Sequence, residues 1–515
     1  MRAPRRRLSR WLCTALVFAG IGAAARAAPS PPPGTDPDTR AWWSLTGELS
    51  SDTMQGRDTG SAAYERAAHL VAARFAAAGL RPAGDNGGFF QRVPLKETRV
   101  EKGGTAFRIL RRDGSSSPLI FLHQISIRAA ANLPLRLEAP LAFRGYCSRA
   151  EIGADTVGKI AVCFGGRRAR LPGAAERARA ARDGGALGLI SVDDPGFTIE
   201  PARWPDAYAR NVGFPEDTDS TALPDMRLAS SAFIQLIQGS GQRAAEILAA
   251  GAASQPLPRF EIPARLQVQL RLTQARYASS NVLALLPGRD PALKAQVVVV
   301  SAHLDGYGFG EPVNGDALYN GAFDDAAYVA TIVRLAEQRH GAGFRRSVLF
   351  AAFTGEEKGL LGARWFTRHP TVPAANLAAD INLDQLRPLF PLKILTMHAL
   401  DDTSLGATAR RIAGGMGIEV RPDLEPERNL LRRADHWPFL QIGVPATGFV
   451  FGYDPGTDAE RRYREWYRVR YHRPQDDMGQ PIDFQAAADF NHFFYSLTQA
   501  VADDPVRATM LHAVK

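Results

Sequence analysis

The chain has 515 residues, enough for about three domains or fewer, and its 45% hydrophobic and 22% charged residues exclude wholesale disorder. The net charge of +9 falls to +3 without the six arginines of residues 1–28, a segment that contains no acidic residue. Composition therefore gives no support to a protein that binds nucleic acid or another polyanion.

Residues 1–28 are predicted to be a secretory signal peptide. Residues 2–10 are arginine-rich, residues 11–25 are apolar or small, and Ala25 and Ala27 stand where a signal peptidase reads small side chains. The apolar run is short for a membrane span, which needs about 20 residues, although an uncleaved anchor remains an alternative. We expect export to the periplasm or secretion, without stable membrane association after cleavage, and the arginine pairs leave the export route open.

The segment after the signal peptide is rich in proline, and residues 29–40 are predicted to be a linker. Residues 41–132 are assigned to the first part of the main domain. Within them the pattern from Tyr64 to Leu80 predicts a helix, for which Gly79 is a suitable C-terminal cap.

Residues 133–256 are predicted to form an inserted α+β domain with its own core. Short β-like runs such as residues 159–164 alternate with an alanine- and arginine-rich helix at residues 174–183, and we see no catalytic cluster there. Cys147 and Cys163 lie in this segment. In an oxidising compartment such a pair favours a disulfide, with two buried thiols as the alternative.

Residues 257–515 are assigned to the second part of the main domain, and from Ser280 onward predicted strands and helices alternate regularly. The valine run at 297–300 is typical of a buried strand covered on both faces, and further strands are predicted at 347–353, 379–386 and 393–397. Helices are predicted at 326–338, 360–369 and 403–416. This alternation predicts an α/β fold with a largely parallel central sheet flanked by helices.

Acidic and imidazole side chains follow the ends of these strands, where sites form in parallel sheets. Each residue taken alone has a structural explanation, because acidic residues at the start of a helix often cap it and a histidine at the end of a strand often packs in the core. Their joint position favours a site instead. The candidates are His303, Asp305, Asp324, Asp325, Glu356, Glu357, Asp384 and His472.

Two imidazoles with several carboxylates and no thiolate suit divalent ions, with zinc the first choice. A centre with two ions needs a carboxylate that bridges them and separate ligands for each ion. It also needs a further carboxylate that takes the proton from the attacking water.

Five segments resemble, in order, the metal-site motifs of the M28 family of co-catalytic zinc metallopeptidases. They read SAHLDGYG, LYNGAFDDAAYVA, FAAFTGEEKGLLGARWF, INLDQL and YHRPQDD. The stretch from Met54 to Arg57 resembles the family's usual opening, and the inserted segment, with GKIAVCFGG and GGALGLISV, resembles a protease-associated domain.

The resemblance implies a role for each candidate residue. Asp324 is expected to bridge two zinc ions, with Glu356 as the general base and Asp305 as the residue that orients His303. Asp435 and His436 resemble a family segment near the site and are expected to support it or to face substrate. The remaining expected metal ligands are His303 and Asp384 for one ion, and Glu357 and His472 for the other.

One position departs from the family pattern. Tyr328 stands where the family has glycine, and we expect its ring to narrow a pocket or alter the packing of the following helix.

The leading hypothesis is an exported aminopeptidase that acts on peptides, with two zinc ions per chain. A carboxypeptidase or dipeptidase of the same family remains the alternative, because the chain has many arginines that could bind a free carboxylate. A non-catalytic binding protein on the same fold is less favoured, since no predicted ligand is missing. A glutaminyl-cyclase-like acyltransferase is also less favoured, because it would hold one zinc whereas the predicted ligands suffice for two. The sequence does not indicate the oligomeric state.

Overall fold

The computed structural model describes residues 29–166, 170–197, 209–217, 223–384 and 386–514, so the predicted signal peptide lies outside the described residues. The helices of the described residues are α1 (Pro37–Leu49), α2 (Ala62–Ala77), α3 (Ala174–Asp183), α4 (Ser230–Leu236), α5 (Ala244–Ala252), α6 (Ala327–Arg339), α7 (Leu361–Arg368), α8 (Leu405–Gly415), α9 (His436–Gln441), α10 (Asp458–Val469) and α11 (Phe484–Asp503).

The strands of the described residues form two large sheets and two small ones. They are β1 (Arg81–Pro82), β2 (Phe90–Val100), β3 (Ala106–Arg111), β4 (Ser116–Leu119), β5 (Ile125–Ile127), β6 (Arg136–Arg144), β7 (Ile160–Phe164), β8 (Gly188–Val192), β9 (Arg210–Gly213), β10 (Asp225–Leu228), β11 (Arg259–Gln269), β12 (Leu272–Leu286), β13 (Val297–His303), β14 (Gly308–Val313), β15 (Asp316–Tyr319), β16 (Ser347–Phe353), β17 (Leu377–Leu383), β18 (Ile394–Met397), β19 (Glu419–Arg421), β20 (Ala446–Thr447) and β21 (Phe449–Phe451).

The first helix begins inside the segment predicted to be a linker. The carboxylate of Asp36 accepts a hydrogen bond from the Thr39 amide at 2.9 Å, and Pro37 occupies the first turn, where no backbone N–H is needed. Residues 37–40 are therefore helical, and the linker prediction was too long at its carboxyl end.

The main sheet has the strand order β20-β17-β13-β16-β12-β2-β9, and β1 pairs with β12. The predicted parallel strands form one half of it, since β20, β17, β13 and β16 all run in the same direction. The other half is antiparallel, so the sheet is mixed and parallel only where the candidate site lies. The predicted strand at 393–397 also differs, because β18 pairs with β19 and β21 in a small separate sheet.

Helices cover both faces of the parallel strands. Val298 and Val300 of β13 pack in the core on one face, together with residues of α1, α2, α6 and α11. Val297 and Val299 pack on the opposite face against side chains of α7 and α9, including Phe366 and Phe439. The four-valine run is thus buried on both sides, as its composition predicted.

The second large sheet has the order β4-β3-β11-β6-β7-β8-β10-β5 and a hydrophobic core of its own. Its strands extend from Ala106 to Gln269, well beyond the predicted limits of 133 and 256. The long strands β2 and β12 pair along eleven residues each and carry the chain out of the main sheet and back. In addition β9, which lies inside the predicted insertion, pairs with β2 in the main sheet.

The second large sheet and the helices between its strands are called the second unit below. Cys147 and Cys163 form a disulfide within it, with their Cα atoms 5.5 Å apart. Cys163 lies on β7, and the bridge ties this strand to the turn after β6. The resemblance of the unit to a protease-associated domain stays a prediction. Among the described residues, no helix combines the length and the apolarity that crossing a membrane requires.

Candidate metal centre

The candidate residues gather at the carboxyl ends of three adjacent parallel strands. His303 is the last residue of β13, Glu356 and Glu357 follow β16, and Asp384 follows β17 directly. Asp324 joins them from a buried π-helical turn, Ala322–Ala326, that precedes α6. The parallel half of the sheet therefore brings together residues that are far apart in sequence.

Two groups of potential ligands share Asp324. His303, Asp324 and Asp384 form one group and Asp324, Glu357 and His472 the other, with the ligand atoms of each group within 4.8 Å of one another. The two oxygens of Asp324 face opposite ways: Oδ1 lies 3.3 Å from His303 Nε2, and Oδ2 lies 3.3 Å from His472 Nε2. One carboxylate thus stands between two separate imidazoles.

Buried charged residues hold the turn that carries Asp324. The carboxylate of Asp476 accepts hydrogen bonds from the amides of Phe323 and Asp324, each at 3.0 Å. The peptide bond between Asp324 and Asp325 is cis, and Asp325 accepts a hydrogen bond from the His303 amide at 3.1 Å. Sequence analysis gave Asp476 no role, although it lies in the YHRPQDD motif.

A buried arginine near the amino terminus fixes the approach to this turn. The Arg57 guanidinium donates to the carbonyls of Leu304, Asn320 and Gly321 at 2.8–2.9 Å. Because these carbonyls flank His303 and Asp324, Arg57 joins the segments that carry two of the candidate ligands. In the sequence, Arg57 stands out only as part of the stretch that resembles the family's opening. This stretch was the one feature that could have pointed to its structural role.

Asp305 does not orient His303 in the way we expected. His303 Nδ1 donates to the backbone carbonyl of Asp305 at 3.1 Å, whereas the Asp305 carboxylate is 3.8 Å away from that nitrogen. The carboxylate accepts instead from the Glu356 amide at 3.0 Å and from the Thr59 hydroxyl at 2.9 Å. The carbonyl fixes the imidazole and leaves Nε2 facing Asp324, and the side chain fixes the glutamate segment.

The centre concentrates negative charge in a buried space. Burial raises the pKa of Glu356 well above its ordinary value, although His303 opposes the effect. Burial and the charge of Asp324 raise the pKa of Glu357 to about 8. Burial alone would raise the pKa of Asp324, but the imidazoles of His303 and His472, each 3.3 Å from one of its oxygens, hold it well below its ordinary value. These carboxylates need positive charge near them to be ionised together.

The two further residues of the site prediction are placed differently. Asp435 is buried beside the centre, where burial raises the pKa of its carboxyl despite opposition from His303, and where Asp305 and Asp384 add to the rise. His436 packs against His398, with ring centroids 5.1 Å apart. The role expected for His436, to support the site or to face substrate, stays a prediction.

A small cavity lies beside the second ligand group. Tyr307, which sequence analysis missed, places its hydroxyl 3.1–3.2 Å from the ring nitrogens of His472. Tyr328 does not narrow this cavity, since it is only 2% exposed and packs edge-on against Phe490 in the core. The cavity is lined by Tyr307, Tyr319, Gly321, Asp324, Glu357, His472, Arg473 and Asp476.

The segment that contains every candidate ligand also matches a family model. Residues 281–498 match the model of Peptidase family M28. These residues form an M28 peptidase domain. The end of β12 and the strands β13, β16, β17 and β20 of the main sheet lie within this M28 domain, together with the segments that carry the candidate ligands.

Curated relatives match part of the chain. The chain is 26% identical over 175 residues to leupeptin-inactivating enzyme 1 of Streptomyces exfoliatus, covering 34% of this chain and 36% of that protein. It is 30% identical over 201 residues to a probable zinc metalloprotease of Pyrenophora tritici-repentis, covering 33% of this chain and 45% of that protein. The matches thus span less than half the length of these relatives.

Solved structures resemble almost the whole chain. An aminopeptidase from Aneurinibacillus sp. strain AM-1 superposes with a TM-score of 0.60 at 17% identity, over 93% of this chain and 96% of that one. The zinc aminopeptidase BSAP from Bacillus subtilis gives 0.59 at 18% identity, over 92% and 98%. At these identities the likeness shows that the M28 domain and the unit beside it share the fold of those proteins.

Proposed function

We propose that this protein is an exported metallopeptidase that hydrolyses peptide bonds with two co-catalytic zinc ions and releases N-terminal residues. The observation that carries the proposal is the pair of ligand groups that share Asp324. A single carboxylate between two imidazole-containing groups is the arrangement that a two-ion centre requires.

The donor atoms present suit zinc. His303 Nε2, Asp324 Oδ2 and Glu357 Oε1 are buried and make no hydrogen bond of acceptable geometry within the described residues. Buried polar atoms are costly unless something satisfies them, and nitrogen and carboxylate donors without thiolate are common zinc ligands. His303, Asp324 and Asp384 would hold one ion, and Asp324, Glu357 and His472 the other.

Bound zinc would supply a Lewis acid that lowers the pKa of water and polarises a carbonyl group. Glu356 is assigned the proton transfers: its carboxylate takes a proton from the attacking water and passes it to the nitrogen of the departing amine. Its Oε2 atom lies 3.9 Å from His303 Nε2, at the edge of the first ligand group. Burial raises the pKa of this carboxyl, a direction that favours a group which accepts a proton before it returns it to the amine.

Aminopeptidase activity is proposed because two structures that share the fold over more than nine-tenths of the chain are called aminopeptidases. Export is proposed from the signal-peptide pattern of residues 1–28. A peptide substrate follows from the family.

One observation favours a second candidate, the carboxypeptidase or dipeptidase. Arg473 lines the cavity beside Glu357 and His472, and its buried Nε atom makes no hydrogen bond within the described residues. A guanidinium in this position could bind a substrate carboxylate in a bidentate manner. By contrast, Arg433 donates to the Tyr471 hydroxyl and Arg432 lies over the Trp437 ring.

Blocked versions of one peptide separate the two candidates. The aminopeptidase predicts that an acetylated N-terminus abolishes hydrolysis and that an amidated C-terminus leaves it almost unchanged. The carboxypeptidase predicts that an amidated C-terminus abolishes hydrolysis and that an acetylated N-terminus leaves it almost unchanged. It also predicts that the Arg473→Gln variant no longer hydrolyses peptides with a free carboxylate. A dipeptidase predicts that both blocks abolish hydrolysis.

A further inference from the structure

Arg387 is a fully buried arginine beside the shared carboxylate, and the proposed mechanism does not use it. It follows Asp384 by three residues and is 0% exposed. Its Nη1 atom donates to the carbonyls of Phe323 at 3.0 Å and Leu386 at 2.6 Å, and its guanidinium carbon lies 4.3 Å from the centre of the Trp466 ring. These contacts fix the position of a guanidinium group, which stays protonated in proteins.

The charge of Arg387 lies on one side of Asp324. Its Nη2 atom is 3.6 Å from Asp324 Oδ2, the oxygen that also faces His472. The other oxygen, Oδ1, faces His303. The group of Asp324, Glu357 and His472 therefore shares its oxygen with a permanent cation, and the group of His303, Asp324 and Asp384 does not.

This asymmetry has an electrostatic consequence for a second cation. A divalent ion at Oδ2 would be repelled by the guanidinium and would share the charge of that oxygen with it, and both effects are strong in a buried site. An ion at Oδ1 is further from the guanidinium. Each ligand group contains two carboxylates and one imidazole, so the ligands themselves do not create a comparable difference.

We propose that Arg387 is a positioning residue that makes the two metal positions unequal, so that the His303–Asp384 position binds zinc more tightly than the Glu357–His472 position. The inference rests on the proposed two-zinc function. It adds that the weaker position exchanges its ion while the tighter one stays filled, and that one guanidinium sets this difference.

Zinc titration of chelator-treated protein with a competing indicator tests the inference without measuring hydrolysis. Wild type should bind two ions in separate steps, and Arg387→Gln should bind the second ion at least about tenfold more tightly while the first step changes less than about threefold. Arg387→Lys keeps the charge and should keep the separation. Arg346→Gln is the matched control, because Arg346 is also buried but contacts Gln296 and the carbonyls of Val501 and Asp504.

Ligand variants keep the inference testable if Arg387→Gln does not fold. Glu357→Ala should remove the weaker step and leave the tighter one, and Asp384→Ala should remove the tighter step. The inference would be overturned by any of three results. They are equal affinities of the two zinc-binding steps in wild type, loss of the weaker step in Asp384→Ala, and an unchanged difference between the two affinities in Arg387→Gln. Wild type that binds no zinc would overturn the proposed function as well, whereas two bound ions with no effect of Arg387→Gln would overturn the inference alone.

Discussion

The carboxylate of Asp305 accepts a hydrogen bond from the backbone amide of Glu356 at 3.0 Å. The same residue uses its backbone carbonyl to hold the Nδ1 atom of His303 at 3.1 Å. One residue therefore positions both a proposed zinc ligand and the proposed general base, through two different groups. This relationship makes the side chain of Asp305 important for Glu356 more than for His303.

Asp305→Ala should reduce kcat by about 10- to 100-fold, as is usual when a residue that supports a metal centre is lost. The carbonyl that orients His303 remains, so zinc content should stay close to that of wild type. Thr59→Val is the matched control, because it removes only the hydroxyl contact to Asp305 and should change kcat little. Loss of zinc without loss of kcat per bound zinc would contradict this division of roles.

Glu356→Gln should keep the fold and the zinc but lower kcat by at least about 100- to 10,000-fold, the usual contribution of a general base. Steady-state hydrolysis, metal analysis and circular dichroism check the three parts. Turnover close to wild type in a zinc-loaded Glu356→Gln protein would show that another group transfers the proton.

Metal content should separate the two ligand groups. Asp324→Ala should lose both ions, since each group depends on this carboxylate, whereas His303→Ala and His472→Ala should each retain about one ion per chain. His398→Ala is the control, because His398 is buried against His436 and belongs to neither ligand group. Metal analysis after dialysis against dilute zinc measures all four, and equal zinc in Asp324→Ala and wild type would refute the shared role.

The stability of chelator-treated protein should fall as the pH rises from about 5 to 8. Burial raises the pKa of Glu357 to about 8 from an ordinary 4.5, so in this range the folded state holds a proton that the unfolded state has lost. Stability then decreases with pH, because the folded state binds more protons. The pKa of His303, also raised, acts in the same direction.

Zinc-loaded protein should show the opposite trend, because zinc binds deprotonated ligands and its affinity increases with pH. Urea unfolding of both forms at several pH values checks the prediction. Stability of the chelated form that increases steadily from pH 5 to 8 would mean that these carboxyls are ionised without metal.

The disulfide between Cys147 and Cys163 should stabilise the second unit without affecting the centre. Replacing both cysteines with serine should lower its stability by about 3 kcal/mol, the chain-entropy value for a loop of roughly 15 residues. Hydrolysis per bound zinc should stay the same, since the disulfide lies in the second sheet. A large fall in zinc content would instead couple this unit to the centre.

The parallel half of the main sheet and the candidate residues at its edge could be predicted because each has a local signal. The valine run of β13 is buried on both faces, and His303 follows it directly. The edges of the inserted unit could not be found, since β2 and β12 are long strands whose pairing partners change along the chain. Register and partner choice of this kind depend on contacts distant in sequence.

The supporting residues of the centre were harder to predict for a similar reason. Arg57 and Arg387 act on backbone carbonyls of distant segments, and arginine carries no local pattern for such a role. The motif that contains Asp435 and His436 does not reveal that the His436 ring packs against His398. Side-chain direction in a short helix decides such cases, and sequence does not give it.

The central claim is that Asp324 belongs to two ligand groups that would each hold a zinc ion, and that peptide hydrolysis depends on both. Its most direct test is metal content per chain, measured together with hydrolysis of an aminoacyl anilide before and after chelation and after zinc is restored. The account predicts about two zinc ions, loss of activity on chelation and recovery as zinc returns. A purified protein with no bound zinc, or with activity unaffected by complete removal of metal, would contradict it.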